Sequence, residues 1–191
     1  AVPTDLAREI DGFVASGGRL AISFFPENKA APAPAARPGG STNSPSATKP
    51  ATGPKASPLR QKRKLTTDEE QTLVSLQDEW GWDTDYAPLK PGIAGSYHPE
   101  QALNQTTLSL PDQVSWHSAL IFTNLAPSWR VIYARGTNPV VVERRFGSGS
   151  VVMATDSYFL SNEALSKERH ADLLAWLIGP NSRVVFDEAH L

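Results

Sequence analysis

The chain has 191 residues, 40% hydrophobic and 20% charged, which suits one buried core with some unstructured material to spare. A formal net charge of −2 gives no general attraction for nucleic acid, and none is expected as a partner. The absence of cysteine excludes disulfides, thiolate metal sites and a cysteine nucleophile.

The first segment, Pro3–Gly18, reads as a helix: Leu6, Ile10, Phe13 and Val14 share one face, Thr4 or Asp5 caps the start, and Gly17–Gly18 ends it. RLAISFF, residues 19–25, follows at once as a buried strand, so the pair forms an α/β connection. Residues 26–64 change in kind. They are rich in Pro, Ala, Ser, Thr and Gly and carry eight Lys or Arg against Glu27 alone, which predicts a disordered basic insertion in an otherwise acidic body. As scattered charge in a Pro-rich tract, it reads as a solubilising loop, and a basic arm touching anionic lipid, nucleic acid or the acidic body is the other reading.

Order resumes with TTDEEQTLVSLQDEW, residues 66–80, read as a helix capped by Thr66 or Thr67 with Leu73, Leu76 and Trp80 on its buried face. Residues 81–112 carry turn residues throughout and no period, and are expected to be irregular apart from a helical turn at Pro99–Leu103. Short apolar runs at 120–123, 130–134, 140–145 and 150–155 read as strands. Gly136–Asn138 and Gly147–Gly149 are tight enough to join the last three into an antiparallel meander. A single helix is expected over Ser161–Ile178, stopped by Gly179–Pro180, and a final strand over Arg183–Asp187. Residues 1–25 and 65–191 thus form one α/β domain interrupted by the insertion.

Ligands of open α/β sheets meet the loops after the strands. The candidate binding residues are therefore Asp156, Ser157, Asn162 and Glu163 after the 150–155 strand, with Asp187, Glu188 and His190 after the last one. The same types also shape turns and cap helices, and that structural reading stands beside the functional one for Asp156, Ser157 and the Ser161 cap. Asp187, Glu188 and His190 have metal-ligand chemistry, and Asp156 with Asp187 is the best carboxylate pair, yet no metal or cofactor is assigned. Ser157, His170 and Asp187 have the types of a hydrolase triad without a G-x-S-x-G elbow, and His170 reads as a surface residue of a helix. FGSGS lies in a hairpin rather than before a helix, against a phosphate cradle. Arg144 and Arg145 read as a solvated strand end. The five tryptophans are dispersed, and packing accounts for Trp80 and Trp176.

GGRLAI, WRVIYA, VVVERRFGSGSVVMATDSYFLSNEAL and the ending VVFDEAHL together resemble a bacterial family: membrane-anchored proteins with domain of unknown function 4350, often encoded beside MoxR-type AAA ATPases. The family's FDE-H-H-G ending is met only in part, with Ala189 before His190 and Leu191 where Gly is common. The resemblance implies a flavodoxin-like, class I glutamine amidotransferase-like sheet, of which this chain is an excerpt lacking the first strands. It implies anchors outside the excerpt, an extracytoplasmic soluble domain, and AAA ATPase and von Willebrand A-type partners. Amidotransferase chemistry is not implied, because no cysteine is present.

The leading expectation is a noncatalytic ligand-sensing or protein-interaction domain, with no catalytic residues. The alternative is a carboxylate- or metal-dependent hydrolase using Asp156, Asp187, Glu188 and His190. A structural spacer is the third.

Overall fold

The computed structural model describes residues 1–28, 73–93 and 96–186, all in one unit of the chain. Residues 29–64 of the expected 26–64 insertion, the first part of the expected 66–80 helix, and Asp187, Glu188 and His190 lie outside these described residues.

Strand β1 (Val2–Pro3) leads into helix α1 (Thr4–Ala15), whose Ala7 and Val14 are buried. Strand β2 is Arg19–Ser23, and β3 (Leu73–Val74) pairs antiparallel with β1. Helix α2 (Leu76–Trp80) is only five residues long. Its cap is Ser75, whose side chain accepts from the Asp78 N–H, so the helix begins ten residues later than Thr66. Strands β4 (Asp83–Tyr86), β5 (Lys90–Pro91), β6 (Tyr97–His98), β7 (Glu100–Asn104), β8 (Gln113–Trp116) and β9 (Leu120–Thr123) follow. The meander is β10 (Trp129–Arg135), β11 (Asn138–Phe146) and β12 (Gly149–Ala154). A 3-10 turn (Tyr158–Leu160), helix α3 (Asn162–Lys167) and helix α4 (Ala171–Ile178) are the last regular elements of the described chain.

Six strands form the main sheet in the order β2-β12-β11-β10-β7-β8. The meander is as the turns predict, with Gly136 and Gly147 in left-handed conformations at its two hairpins. Gly149 serves by its size: a Cβ there would sit 2.1 Å from the Gly18 carbonyl oxygen, where β12 passes the end of α1.

The flavodoxin-like expectation is overturned by this topology. Among the described strands of the sheet only β12 and β2 run parallel, while β12·β11, β11·β10, β10·β7 and β7·β8 are all antiparallel. A doubly wound parallel sheet needs a helical crossover between successive strands, and no helix lies between β7 and β12. The fold is a mixed, mostly antiparallel sheet with few helices.

Both faces of the sheet are covered. Val152 and Ala154 of β12 enter a cluster with Trp116, Ile132, Tyr133, Phe159 and Leu173, while Val151 and Met153 enter another with Val14, Trp80, Phe122 and Trp129. Complete burial of each such side chain is worth about 1.5–3 kcal/mol, so the VVMA run anchors both layers at once. Polar ties complete the frame. Arg19 donates to Glu143 at 2.8 Å and to the Leu177 carbonyl at 3.0 Å, and Arg135, 3% exposed, donates to Glu100 at 3.1 Å and to the Ala87 carbonyl.

Other local expectations change too. β2 is a half-exposed edge strand rather than a buried one, because among the described strands only β12 pairs with it. In place of the helical turn expected over Pro99–Leu103, residues 100–103 belong to β7, where the two-residue alternation puts Ala102 in the core. The 161–178 helix is broken in two at Glu168–His170. Residues 183–186 form no strand, and Val185 and Phe186 are 89% and 83% exposed. Arg144 is not a solvated end: it donates to the Trp80 carbonyl at 3.2 Å and lies over Phe146.

Candidate functional site

Asp156 follows β12 directly and is completely buried. Its Oδ2 accepts from the His117 N–H at 2.5 Å and its Oδ1 from the Tyr158 N–H at 2.8 Å. The carboxylate therefore pins the end of β8 to the 3-10 turn. Burial, the largest influence, pushes its carboxyl above the ordinary carboxylate value, while the N–H groups of Tyr158, His117 and Ser157 and the His117 ring work against that. The two pinned segments stack on each other, with the His117 and Tyr158 rings 3.6 Å apart. Asn28, the third residue of the expected 26–64 insertion, donates to the His117 carbonyl at 3.1 Å, fixing the start of that segment to the same point.

This geometry sorts the residues the sequence singles out. Asp156 presents nothing to solvent, so neither a ligand nor a substrate reaches it. Ser157 is half-buried beside it. Ser161 is a helix cap, its side chain accepting from the Ala164 N–H at 3.1 Å. Asn162 and Glu163 are exposed on the first turn of α3, and Glu163 pairs with Lys167 at 2.5 Å, which lowers its pKa. Asp187, Glu188 and His190 lie outside the described residues, as does any pairing of Asp156 with Asp187. Among the described residues no group of three His, Asp or Glu is placed to hold a metal ion.

A different set of side chains converges nearby. Gln101 of β7 is the register partner of Ser115 of β8, and Gln113 lies two residues before Ser115, so all three project from one face of the hairpin. The residues between them, Ala102, Val114 and Trp116, fill the core on the other face. Facing the three polar side chains are Glu168 and His170, and the five line an open pocket of about 270 Å³. Glu168 Oε2 and His170 Nε2 are 2.9 Å apart, with both side chains mostly buried.

That last contact requires the helix break. Residues two apart on a continuous helix do not face each other. Arg169, between them, takes a left-handed conformation with φ of +51°, which costs a side-chain-bearing residue roughly 1–2 kcal/mol. The strain turns Glu168 and His170 to the same side, and His170 becomes the cap of α4 instead of a helix-surface residue. Burial, then Glu163 and Glu168, raise the Tyr158 phenol, with Lys167 acting in the opposite sense.

Sequence reasoning misses Gln101, Gln113, Ser115 and Glu168. The signal for part of the set is present, since QVSW alternates polar and apolar residues as a half-buried strand does. The break at Arg169 leaves no such trace, because the apolar spacing runs through it.

The family model described as Domain of unknown function (DUF4350) matches residues 2–178. No curated protein matches the chain significantly. Among solved structures, the β-galactosidase of Bacillus circulans sp. alkalophilus is similar with a TM-score of 0.44 and 16% identity over 88% of this chain and 21% of its own. An exo-β-1,4-mannosidase from Opitutaceae bacterium strain TAV5 gives 0.40 and 11%, over 92% of this chain and 22% of its own. A GH42 β-galactosidase from G. stearothermophilus gives 0.36 and 9%, over 88% and 20%. The chain spans about a fifth of the length of each of these.

Proposed function

The chain belongs to the family of the domain of unknown function DUF4350, and we propose that within it the chain serves as a noncatalytic domain that binds a small polar ligand. The observation that carries this reading is the strained Arg169, which sets a Glu168–His170 pair against three polar side chains of the β7–β8 hairpin. Backbone strain persists only where its surroundings hold it, and it gathers at ligand sites. Gln101, Gln113 and Ser115 make no side-chain hydrogen bond among the described residues, so their capacity is free for a ligand.

The test is a thermal-shift and NMR screen of the full chain against small polar molecules. Saturable shifts confined to residues 101, 113, 115, 168 and 170, lost in His170→Ala, are the expected result. Shifts that persist unchanged in that variant would overturn the assignment of the site.

The same proposal extends to the setting: a membrane-held protein whose domain faces outside the cytoplasm and works with AAA ATPase and von Willebrand A-type proteins. Its support is the resemblance of the motifs alone. No helix of the described residues is long and apolar enough to cross a membrane. Crosslinking in the native cell, with Glu168→Gln as the paired control, tests it: recovery of an AAA-type protein is expected, and its absence removes this part of the proposal.

A further inference from the structure

Resting on the reading of the pocket as a polar-ligand site, we infer that its ligand class is neutral and hydroxyl-rich, a sugar unit. The lining decides this by elimination. Among the described residues no lysine or arginine lines the pocket, and a phosphate or carboxylate ligand would have to displace Glu168 from His170, the one lining side chain that can carry positive charge. A cationic ligand would have to compete with His170, already hydrogen-bonded to Glu168 at 2.9 Å. No hydrocarbon side chain among the described residues lines the pocket, and the apolar surface there is the stems of polar side chains, so a wholly apolar ligand would leave their polar heads unpaired.

What remains is a ligand that both donates and accepts at many points. Each carboxamide of Gln101 and Gln113 holds a donor and an acceptor side by side, the Ser115 hydroxyl does both, the Glu168 carboxylate accepts, and the His170 ring donates or accepts by tautomer. A polyol matches that pattern, because each of its hydroxyls is likewise both donor and acceptor. The hairpin register fixes the backbone positions that carry these groups. Gln101 and Ser115 stand opposite each other across the hairpin, about 5 Å apart, and Gln113 lies about 7 Å along β8 from Ser115. Strand positions at these intervals let the Gln side chains reach hydroxyls on opposite sides of a single ring. The volume of about 270 Å³ is just below the roughly 300–1,000 Å³ of ordinary ligand pockets, which suits one sugar ring with its neighbours extending into water.

The experiment is 15N NMR titration of the full chain with galactose, cellobiose and N-acetylglucosamine, alongside glycyl-glutamine amide, inorganic phosphate and ethanolamine. Gln101→Ala and Gln113→Ala serve as variants, since both positions are exposed and leave the core untouched. At least one saccharide is expected to shift the pocket residues saturably, and each variant to weaken that binding at least tenfold. Pocket shifts from the amide, phosphate or amine but from no saccharide would overturn the sugar class while leaving the polar-ligand site standing. Saccharide shifts indifferent to both variants would also overturn it. Silence from the whole panel would remove both the class and the underlying site.

Discussion

Two carboxylates twelve residues apart, Asp156 and Glu168, show how the same chemical group serves opposite ends. Asp156 spends both oxygens on backbone N–H groups, at 2.5 and 2.8 Å, and is sealed from water. Glu168 is bonded to a side chain, His170, at the rim of an open pocket. A carboxylate whose acceptors are consumed by the backbone is a fastening. One whose partner is another side chain facing solvent can exchange that partner for a ligand.

The largest effect should therefore come from the fastening. Asp156→Ala leaves the N–H groups of His117 and Tyr158 without acceptors in a buried place, and should cost about 3 kcal/mol, taking 1–3 kcal/mol for each unsatisfied group. Urea denaturation measures this, and a loss below about 1 kcal/mol would erase the contrast with Glu168. The pH dependence sharpens the same point. Because burial raises the Asp156 carboxyl, the folded state holds its proton more tightly than the unfolded state. The contribution is fully present below the ordinary value of 3.8 and is lost as pH rises through the raised value. Asp156→Asn has no such titration, so wild-type stability minus that of the variant should fall as pH rises across this window. A flat difference would mean that the backbone hydrogen bonds offset burial, and one that rises with pH would mean that they outweigh it.

How far the sequence reaches is visible in these same residues. Period-two apolar runs and tight glycine turns are local signals, and they locate β10, β11 and β12, as the α1 spacing locates its helix. Asp156 is found for the same reason, as the polar residue ending an apolar strand. Whether it binds a ligand or backbone depends on His117, 39 residues away in sequence, and no spacing reports that contact. The sheet's direction is also non-local: a parallel arrangement of the strands is as compatible with their apolar runs as the antiparallel one, and connections without helices decide it. The pocket escapes because it needs the β7–β8 register and a left-handed Arg169 together.

That left-handed residue supplies the next test, of intermediate size. Arg169→Gly removes a Cβ conflict of roughly 1–2 kcal/mol and adds roughly 0.5–1 kcal/mol of backbone entropy cost, leaving a gain of at most about 1.5 kcal/mol. Calorimetry should show a slightly higher Tm with ligand binding retained, since glycine keeps the turn that joins Glu168 to His170. A clear loss of stability would mean that the Arg169 side chain, rather than its backbone, holds the break.

The smallest effect on folding should accompany the largest on binding. Glu168→Gln keeps the shape of the side chain and one oxygen to accept from His170, and a partly exposed pair of this kind is worth about 0–1 kcal/mol. Its unfolding curve should nearly overlay that of the wild type, while saturable shifts at Gln101, Gln113 and Ser115 weaken, because the pocket has lost the one carboxylate acceptor among its described lining residues. Asp156→Ala inverts both readings, unfolding first and binding only as well as its folded fraction allows. If Glu168→Gln were instead as destabilising as Asp156→Ala, the two carboxylates would be fastenings alike, and the strain at Arg169 would serve the packing of α3 against α4 rather than a ligand.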